Sequence, residues 1–288
     1  MTAAAEADAD PFAPRTPPKH HAPLAIGKDT YLVRSMFGEG EGPLAVYVNS
    51  LVIAGPEPVV VDTGTVVNRD QWLADVFSIV EPTDVKYVFL SHDDHDHVGN
   101  LLPLLEAAPQ ATLLTTWFTQ ERLAGDLHVP LERVRWVNDG ESFEVGGRTL
   151  AVVRPPLYDA PTTRGLYDPA SGVYWAVDTY GTTVAAPADD VAELDADFWD
   201  EQFVGFNRMN SPWHAIVDPA LFSREVARIE QLAPTVLASA HGPVVTGANV
   251  AEAHRKMHRV AGGEVTPLPT QVDLDAILAH LAPAVAAA

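Results

Sequence analysis

The chain has 288 residues, enough for one large α/β domain or two small ones, and its 47% hydrophobic residues can form a sizeable core. Its formal net charge of −21 repels phosphate backbones and anionic lipid, which argues against binding to nucleic acid or to a membrane surface. The absence of cysteine excludes disulfides, thiolate nucleophiles and cysteine-ligated metal clusters.

The N-terminal segment, residues 1–23, is rich in Ala, Pro, Asp and His and is predicted to be a disordered arm. A single domain is predicted over residues 24–288. The arm has neither the basic region nor the apolar stretch of a signal peptide. No apolar run in the chain reaches the roughly 18–20 residues needed to cross a bilayer. We therefore predict a cytoplasmic protein that does not enter a membrane.

The chain is predicted to have two similar halves, each made of strands and helices. The first half has predicted strands at 30–36, 44–54, 57–62, 85–90 and 111–115, and predicted helices at 68–80, 100–107 and 117–124. The second half has predicted strands at 133–137, 149–153, 172–177 and 235–239, and predicted helices at 196–207, 221–232, 250–260 and 271–281. This order is consistent with two packed sheets and helices outside them.

A dense cluster of histidine and aspartate follows the predicted strand at 85–90. Three histidines and three aspartates occupy the six positions from His92 to His97. Crowded carboxylates repel one another, and a divalent cation relieves that repulsion. A solvated acidic loop with incidental histidines is the alternative. The position at a strand end, followed by Val98 and Gly99, favours a metal site.

The cluster resembles the signature of the metallo-β-lactamase superfamily, His-x-His-x-Asp-His-x-Gly. His92, Asp96, His97 and Gly99 match that signature, and Asp94 stands in place of its second histidine. A carboxylate there is similar to the flavodiiron proteins and the related oxygen-binding di-iron proteins, which carry His-x-Glu-x-Asp-His. The resemblance implies an α/β fold, namely an αββα sandwich of two mixed sheets with helices on the outer faces.

Later segments extend this resemblance from about residue 24 to residue 258. Asp62 ends an apolar strand, where the family has an aspartate that organises the ligand loops. Asp178 ends another, where the family has a carboxylate that bridges two metals. Residues 239–243 are similar to the segment that supplies the family's last histidine, here His241.

One histidine of the family is missing between the signature and Asp178, because residues 154–164 contain none. Asp159 is the best candidate to replace it, with Tyr158 behind it as a catalytic candidate. The resemblance then implies a first metal at His92, Asp94, Asp159 and Asp178, and a second metal at Asp96, His97, Asp178 and His241. The alternative is that neither residue binds, which leaves the first site weak or empty. Asp96 is also expected to handle a proton during catalysis.

The donor types favour iron or manganese, although zinc accepts them as well. We predict two iron ions that bind O₂ or carry out oxygen-dependent redox chemistry, on O₂ itself or on an organic substrate. Flavodiiron proteins carry a flavodoxin domain after this one, and none is expected in a chain that ends at Ala288. Any electrons are therefore expected to come from a separate donor, or else the reaction is an oxygen-dependent oxidation of an organic substrate.

Two other functions are open at this point. One is a metal-dependent hydrolase, in which a metal-bridging hydroxide attacks an ester, lactone, thioester or phosphoester. Arg154 and Arg164 would then offer positive charge to an anionic substrate, or would pair with surface acids. The other is a non-catalytic metal sensor, or a protein that has lost one site. The oligomeric state is also open, a homodimer included.

We also predict the positions of several side chains outside the predicted ligand set. The loops at 35–42 and 160–168 are expected to shape a substrate pocket. By analogy, its lining is expected to include Arg34, Met36, Phe37, Leu166 and Tyr167. His254 and His258 are expected at solvated positions on a helix.

Overall fold

The β-branched and aromatic segments form two mixed sheets in the computed structural model, which describes residues 18–285. The first sheet contains, in spatial order, β1 (Lys19–Gly27), β2 (Thr30–Phe37), β3 (Val46–Ile53), β4 (Val59–Val61), β5 (Tyr87–Phe89), β6 (Thr112–Thr115) and β7 (Val134–Trp136). Neighbours from β1 to β4 are antiparallel, and neighbours from β4 to β7 are parallel.

The second sheet comes from the other half of the chain. Its strands are β8 (Ser142–Val145), β9 (Arg148–Val153), β10 (Gly165–Asp168), β11 (Val173–Trp175), β12 (Val236–Ala238) and β13 (Val245–Thr246). Their spatial order is β13-β12-β11-β10-β9-β8. Only β11 and β12 are paired in parallel among these described strands.

The helices connect the strands. They are α1 (Arg69–Ile79), α2 (His95–Val98), α3 (Leu101–Ala107), α4 (Trp117–Leu123), α5 (Ala196–Asn210), α6 (Pro219–Glu230), α7 (Ala248–His258) and α8 (Gln271–Val285). Asp195 and Asp218 cap α5 and α6 by accepting hydrogen bonds from backbone N–H groups of the first turn. Of the helices described, none combines the length and apolar character that a membrane crossing requires.

Successive side chains of a strand point to opposite faces of its sheet, so the buried side chains form three core layers. Val59 and Val61 of β4 pack between the two sheets, whereas Val60 packs outward with the residues of α1 and α3. In β11, Trp175 faces the space between the sheets and Tyr174 packs with α5, α6 and α7. Helices therefore cover both outer faces, and the predicted αββα sandwich is confirmed.

The predicted boundary of the N-terminal arm was wrong at its C-terminal end. Residues 19–23 belong to β1, which pairs with β2. His20, which received no role from the sequence, lies 3.1 Å from the Asp75 carboxylate. Pro23 sits at a register shift in this pairing, and the shift breaks the alternating pattern by which strands are recognised. The remainder of the arm, residues 1–17, lies outside the described residues.

The parallel strands bring polar segments to one edge of the sandwich, because the carboxyl ends of parallel neighbours point the same way. Asp62 follows β4, and residues 91–97 follow β5. Asp178 follows β11, and His241 follows β12. Asp159 lies in the loop after β9.

Candidate metal centre

Asp178 lies at the centre of the histidine and aspartate cluster. Its Oδ2 is 3.3 Å from Nε2 of His92. Its Oδ1 is 3.1 Å from Nε2 of His97 and 3.1 Å from Nε2 of His241. One buried carboxylate thus contacts three imidazoles that come from both sheets.

The loop that carries Asp178 has an unusual backbone. Val177 and Tyr180 have φ angles of 59° and 62°, in the left-handed region that side chains other than glycine rarely adopt. A Cβ on Gly181 would lie 3.0 Å from the carbonyl oxygens of Asp178 and His241, so a larger residue does not fit there. Such local strain is typical of loops that hold a functional group in place.

The candidate ligands form two groups, in each of which the donor atoms lie within 4.8 Å of one another. The first subsite consists of His92, Asp94 and Asp159, and the second subsite consists of Asp96, His97 and His241. Asp178 joins them through a third group that it forms with His92 and His97. The structure therefore brings all seven predicted metal-binding residues close together, and the donors of each predicted site other than Asp178 form one group.

The first subsite is rich in carboxylate. Oδ2 of Asp94 is 3.7 Å from Nε2 of His92. Asp159, the residue predicted to replace the family's missing histidine, lies with His92 and Asp94 in this group. Burial raises the pKa of Asp159 to about 6, and the negative charge of Asp178 acts in the same direction. A cation at this subsite would offset both effects.

The second subsite strongly favours positive charge. Oδ2 of Asp96 lies 3.7 Å from Nε2 of His97 and 3.5 Å from Nε2 of His241. Burial opposes protonation of His97, but the Asp62 and Asp178 carboxylates outweigh burial and raise its pKa well above the ordinary value. The same electrostatic field would stabilise a metal cation.

Each imidazole is oriented by a hydrogen bond at its other nitrogen, Nδ1, so that Nε2 faces the cluster. The partners of His92, His97 and His241 are the Ser91 hydroxyl, the Asp62 carboxylate and the Tyr47 backbone carbonyl, at 3.1, 3.0 and 2.9 Å respectively. This arrangement of outer partners is typical of histidines that bind metals.

Three buried atoms at the centre have no hydrogen-bond partner in the described part of the chain. They are Nε2 of His92, Nε2 of His97 and Oδ1 of Asp178. Burying a polar atom without a partner is costly, and native structures contain few such atoms. Coordination of a metal would satisfy all three atoms. Imidazole nitrogens and carboxylate oxygens suit iron, manganese and zinc, so the residues present fit the implied metals.

Asp62 organises the ligand loops, as predicted. Its Oδ1 accepts a hydrogen bond from the Ser91 backbone N–H at 2.8 Å. Its Oδ2 accepts from the Ser91 hydroxyl at 2.7 Å and from Trp175 Nε1 at 3.0 Å, and lies 3.0 Å from Nδ1 of His97. The role of Trp175 could not be predicted, because an indole on a buried strand does not indicate which distant acceptor it will meet.

Asp93 ties the signature to the loop that carries Asp159. It lies outside the three ligand groups. Its Oδ1 accepts a hydrogen bond from the Thr162 hydroxyl at 2.6 Å. Its Oδ2 pairs with Arg122 of α4. These contacts join segments far apart in the sequence, so sequence reasoning did not find them.

Tyr158, the other catalytic candidate, belongs to none of the three ligand groups. Its ring packs against Trp213, with centroids 5.1 Å apart, and lies 5.3 Å from the guanidinium carbon of Arg154. These three side chains line a cavity of about 470 Å³. Arg164 donates hydrogen bonds to the carbonyls of Pro161 and Thr163. A catalytic role for Tyr158 stays a prediction.

A pocket of about 450 Å³ opens over Asp96 and His241. Of the five side chains expected to line a substrate pocket, Phe37 lines it. The other four lie elsewhere in the described structure: Met36 and Leu166 in the core, Arg34 against Asp189, and Tyr167 against the Leu232 carbonyl. The analogy failed for those four because they take part in packing and pairing within the fold.

The expectation of a solvated position was wrong for His254. This side chain is 5% exposed, and its Nδ1 lies 2.9 Å from the Tyr180 hydroxyl. His258, one turn further along α7, is partly exposed and lies 3.3 Å from Glu230. The apolar spacing of α7 does not reveal which polar residue will face a buried hydroxyl.

Comparison with known proteins places this geometry in a family. Residues 46–242 match the family model described as ODP family beta lactamase. Diflavin flavoprotein A 1 of Synechocystis sp. is 27% identical over 213 residues, which are 73% of this chain and 36% of that protein. The rubredoxin-oxygen oxidoreductase of Megalodesulfovibrio gigas is 25% identical over 153 residues, which are 53% of this chain and 36% of that protein. The chain thus spans little more than a third of the length of either relative.

Solved structures show the same fold. The rubredoxin oxygen:oxidoreductase of Desulfovibrio gigas superposes with a TM-score of 0.70 at 20% identity, over 82% of this chain and 61% of that chain. The flavodiiron protein of Giardia intestinalis gives a TM-score of 0.68 at 22% identity, over 84% of this chain and 60% of that chain. With its two mixed sheets, its signature segment and a family match over more than half of its length, the chain belongs to the ODP family of beta-lactamase-fold proteins.

Proposed function

We propose that the chain holds two iron ions and carries out redox chemistry on O₂ or a related small oxidant. The observation that carries this proposal is the first subsite, where Asp94 and Asp159 accompany a single imidazole from His92. Oxygen-rich donors favour iron or manganese, and their negative charge stabilises the oxidised state of a metal. The names of the relatives, which include an oxygen oxidoreductase and flavodiiron proteins, support the same chemistry.

The described residues have distinct roles in this proposal. The first subsite would hold one iron and the second subsite the other, with Asp178 between them. A bound iron pair supplies the electrons that a small oxidant takes up. Asp62 keeps the His97 ring oriented, and the nearly complete burial of His92 and His97 excludes water from their side of the centre. Asp96, which is partly exposed at the pocket, would be a donor of the second subsite and is also the residue proposed to handle a proton.

The proposed redox cycle needs a source of electrons. We propose a separate electron donor, by analogy with the Megalodesulfovibrio gigas relative, whose name pairs oxygen with rubredoxin. The cytoplasmic location and the homodimer stay predictions.

Elemental analysis with visible spectroscopy tests the proposal. The protein is purified from iron-supplemented cells, reduced without air and then exposed to air. We expect two irons per chain and a reversible spectral change. Asp159→Ala is expected to lower the content to about one iron per chain, because it removes a donor from the first subsite alone. Asp75→Asn, a buried carboxylate outside the cluster, serves as the control.

Two results would overturn this proposal. The first is zinc alone, retained after iron-supplemented expression. The second is turnover of a lactone, thioester or phosphodiester by the zinc or manganese form, without any spectral response to air. The second result would establish the metal-dependent hydrolase in place of the redox protein.

A further inference from the structure

The pocket over the second subsite has apolar walls. Asp96 and His241 contribute to its lining and connect it with the candidate metal centre. Three other polar side chains line it, those of Thr65, His95 and Asn210. The remaining lining residues are all apolar: Phe37, Val46, Val48, Val66, Val67 and Phe206.

The size of this pocket exceeds what a diatomic molecule needs. Its volume is about 450 Å³. A water molecule, which is similar in size to O₂, takes up about 30 Å³ in the liquid. Pockets that bind organic ligands have volumes of about 300–1,000 Å³ and are lined mostly by apolar side chains. The pocket therefore fits an organic molecule of one or more rings.

The charges around the pocket disfavour an anion. Among the described residues that line it, there is no lysine or arginine. Arg154 lines the separate cavity beside Tyr158, and Arg34 pairs with Asp189. In the metal-free protein, the aspartates of the cluster repel a carboxylate or phosphate that approaches through the pocket. A neutral ligand meets no such barrier.

We propose that this pocket binds a neutral, apolar organic molecule, which is the substrate of the chain and lies directly over the second subsite. The assignment as substrate rests on the proposed function, since the reacting centre would be the metal pair. Binding itself depends on the apolar walls and does not require a metal.

Titration of the metal-free, full-length protein with N-phenyl-1-naphthylamine tests the binding. This neutral probe of three aromatic rings fluoresces when it enters an apolar site. Val66 is 56% exposed, so Val66→Asp places a charge in the pocket lining without disturbing the core. We expect the Kd for the probe to rise at least tenfold in this variant. Val66→Asn, which is polar and uncharged, is expected to give a smaller rise.

Two matched variants control for charge and for a second apolar site. Ile216 is 89% exposed and lies outside the pocket, so Ile216→Asp is expected to leave the Kd unchanged. Leu131 is 65% exposed and lines a different apolar cavity of about 230 Å³ between α3 and α4. Leu131→Asp is likewise expected to leave the Kd unchanged.

The possible outcomes separate clearly. Weakening by Val66→Asp and not by the two controls supports the proposal. Failure of the probe to bind, or weakening by Leu131→Asp in place of Val66→Asp, overturns it. The titration is independent of iron content, so failure here is distinguishable from failure of the di-iron proposal.

Discussion

Four donors converge on the carboxylate of Asp62, although Asp62 belongs to neither subsite. The Ser91 N–H and hydroxyl, the Trp175 indole and the His97 ring all lie within 3.0 Å of its oxygens. The residue is fully buried and has a φ of 59°. Such a carboxylate fixes the ring of a ligand through contacts that the neutral amide of asparagine cannot reproduce.

Asp62→Asn is therefore expected to weaken both the fold and the metal centre. In either orientation, the amide nitrogen would face donors where an oxygen accepted hydrogen bonds. Leaving buried donors unpaired costs about 1–3 kcal/mol. Loss of a partner that orients a ligand lowers metal affinity about 10–100-fold. Urea unfolding and metal titration measure the two effects. Asp75→Asn, with a buried carboxylate elsewhere, should leave metal affinity unchanged, and equal losses in both variants would refute the orienting role of Asp62.

Thr162 and Thr163 provide a matched pair for the loop that carries Asp159. The Thr162 hydroxyl donates to Asp93, whereas the buried Thr163 hydroxyl makes no hydrogen bond with the described residues. Thr162→Val is expected to loosen Asp159 and to lower the affinity of the first subsite several-fold, with the second subsite retained. Metal stoichiometry during titration with a chelator measures this. The same loss in Thr163→Val would show that the hydrogen bond to Asp93 is unimportant.

At the level of elements, the sequence predicts the strongly apolar strands but misses β1, the longest described strand, because a register shift breaks its alternating pattern. The β4 and β5 strands are buried apolar runs, and the polar residues just after them were correctly placed at strand ends. The short strands β8, β10 and β13 were not predicted, because each mixes polar residues or glycine with its apolar ones and none is a continuous apolar run. The same limit applies within the site. Four of the seven predicted ligands lie in a local signature, whereas the Asp93–Thr162 contact depends on how distant loops pack.

Helix α7 carries a pH-sensitive contact. Burial lowers the pKa of His254 below its ordinary value of about 6.5. The folded protein therefore favours the neutral ring, while the unfolded chain takes up a proton as the pH falls below about 6.5. The stability that His254 contributes is present above that pH and is lost as the pH falls through the folded pKa.

His254→Gln is expected to reduce the pH dependence of folding. Between about pH 7.5 and about pH 5.5, the free energy of unfolding should fall less in this variant than in the unmodified protein. Urea unfolding at several pH values measures the difference. His258→Gln, on the same helix and partly exposed, should keep the original slope. An unchanged slope in His254→Gln would contradict this account of the Tyr180–His254 contact.

At the scale of the molecule, the candidate metal centre connects the two sheets. His92 and His97 follow a strand of the first sheet, whereas Asp178 and His241 follow strands of the second. A ligand that binds only the folded state stabilises it by about 2.7 kcal/mol when present at 100 times its Kd. Binding of Mn²⁺ is therefore expected to raise the Tm by several degrees. Asp178→Asn should abolish most of this rise, and an equal rise in that variant would place the bound metal elsewhere.

The distribution of the ligands along the chain also limits when a metal can be acquired during biosynthesis. The ribosome makes the donors of the signature, His92 to His97, well before it makes Asp178 and His241. A nascent chain that displays the signature alone offers a cation an incomplete set of donors and no second sheet to shield it. Insertion of the proposed metal pair is therefore expected to be a late event, completed after the last strands of the second sheet have been synthesised and packed.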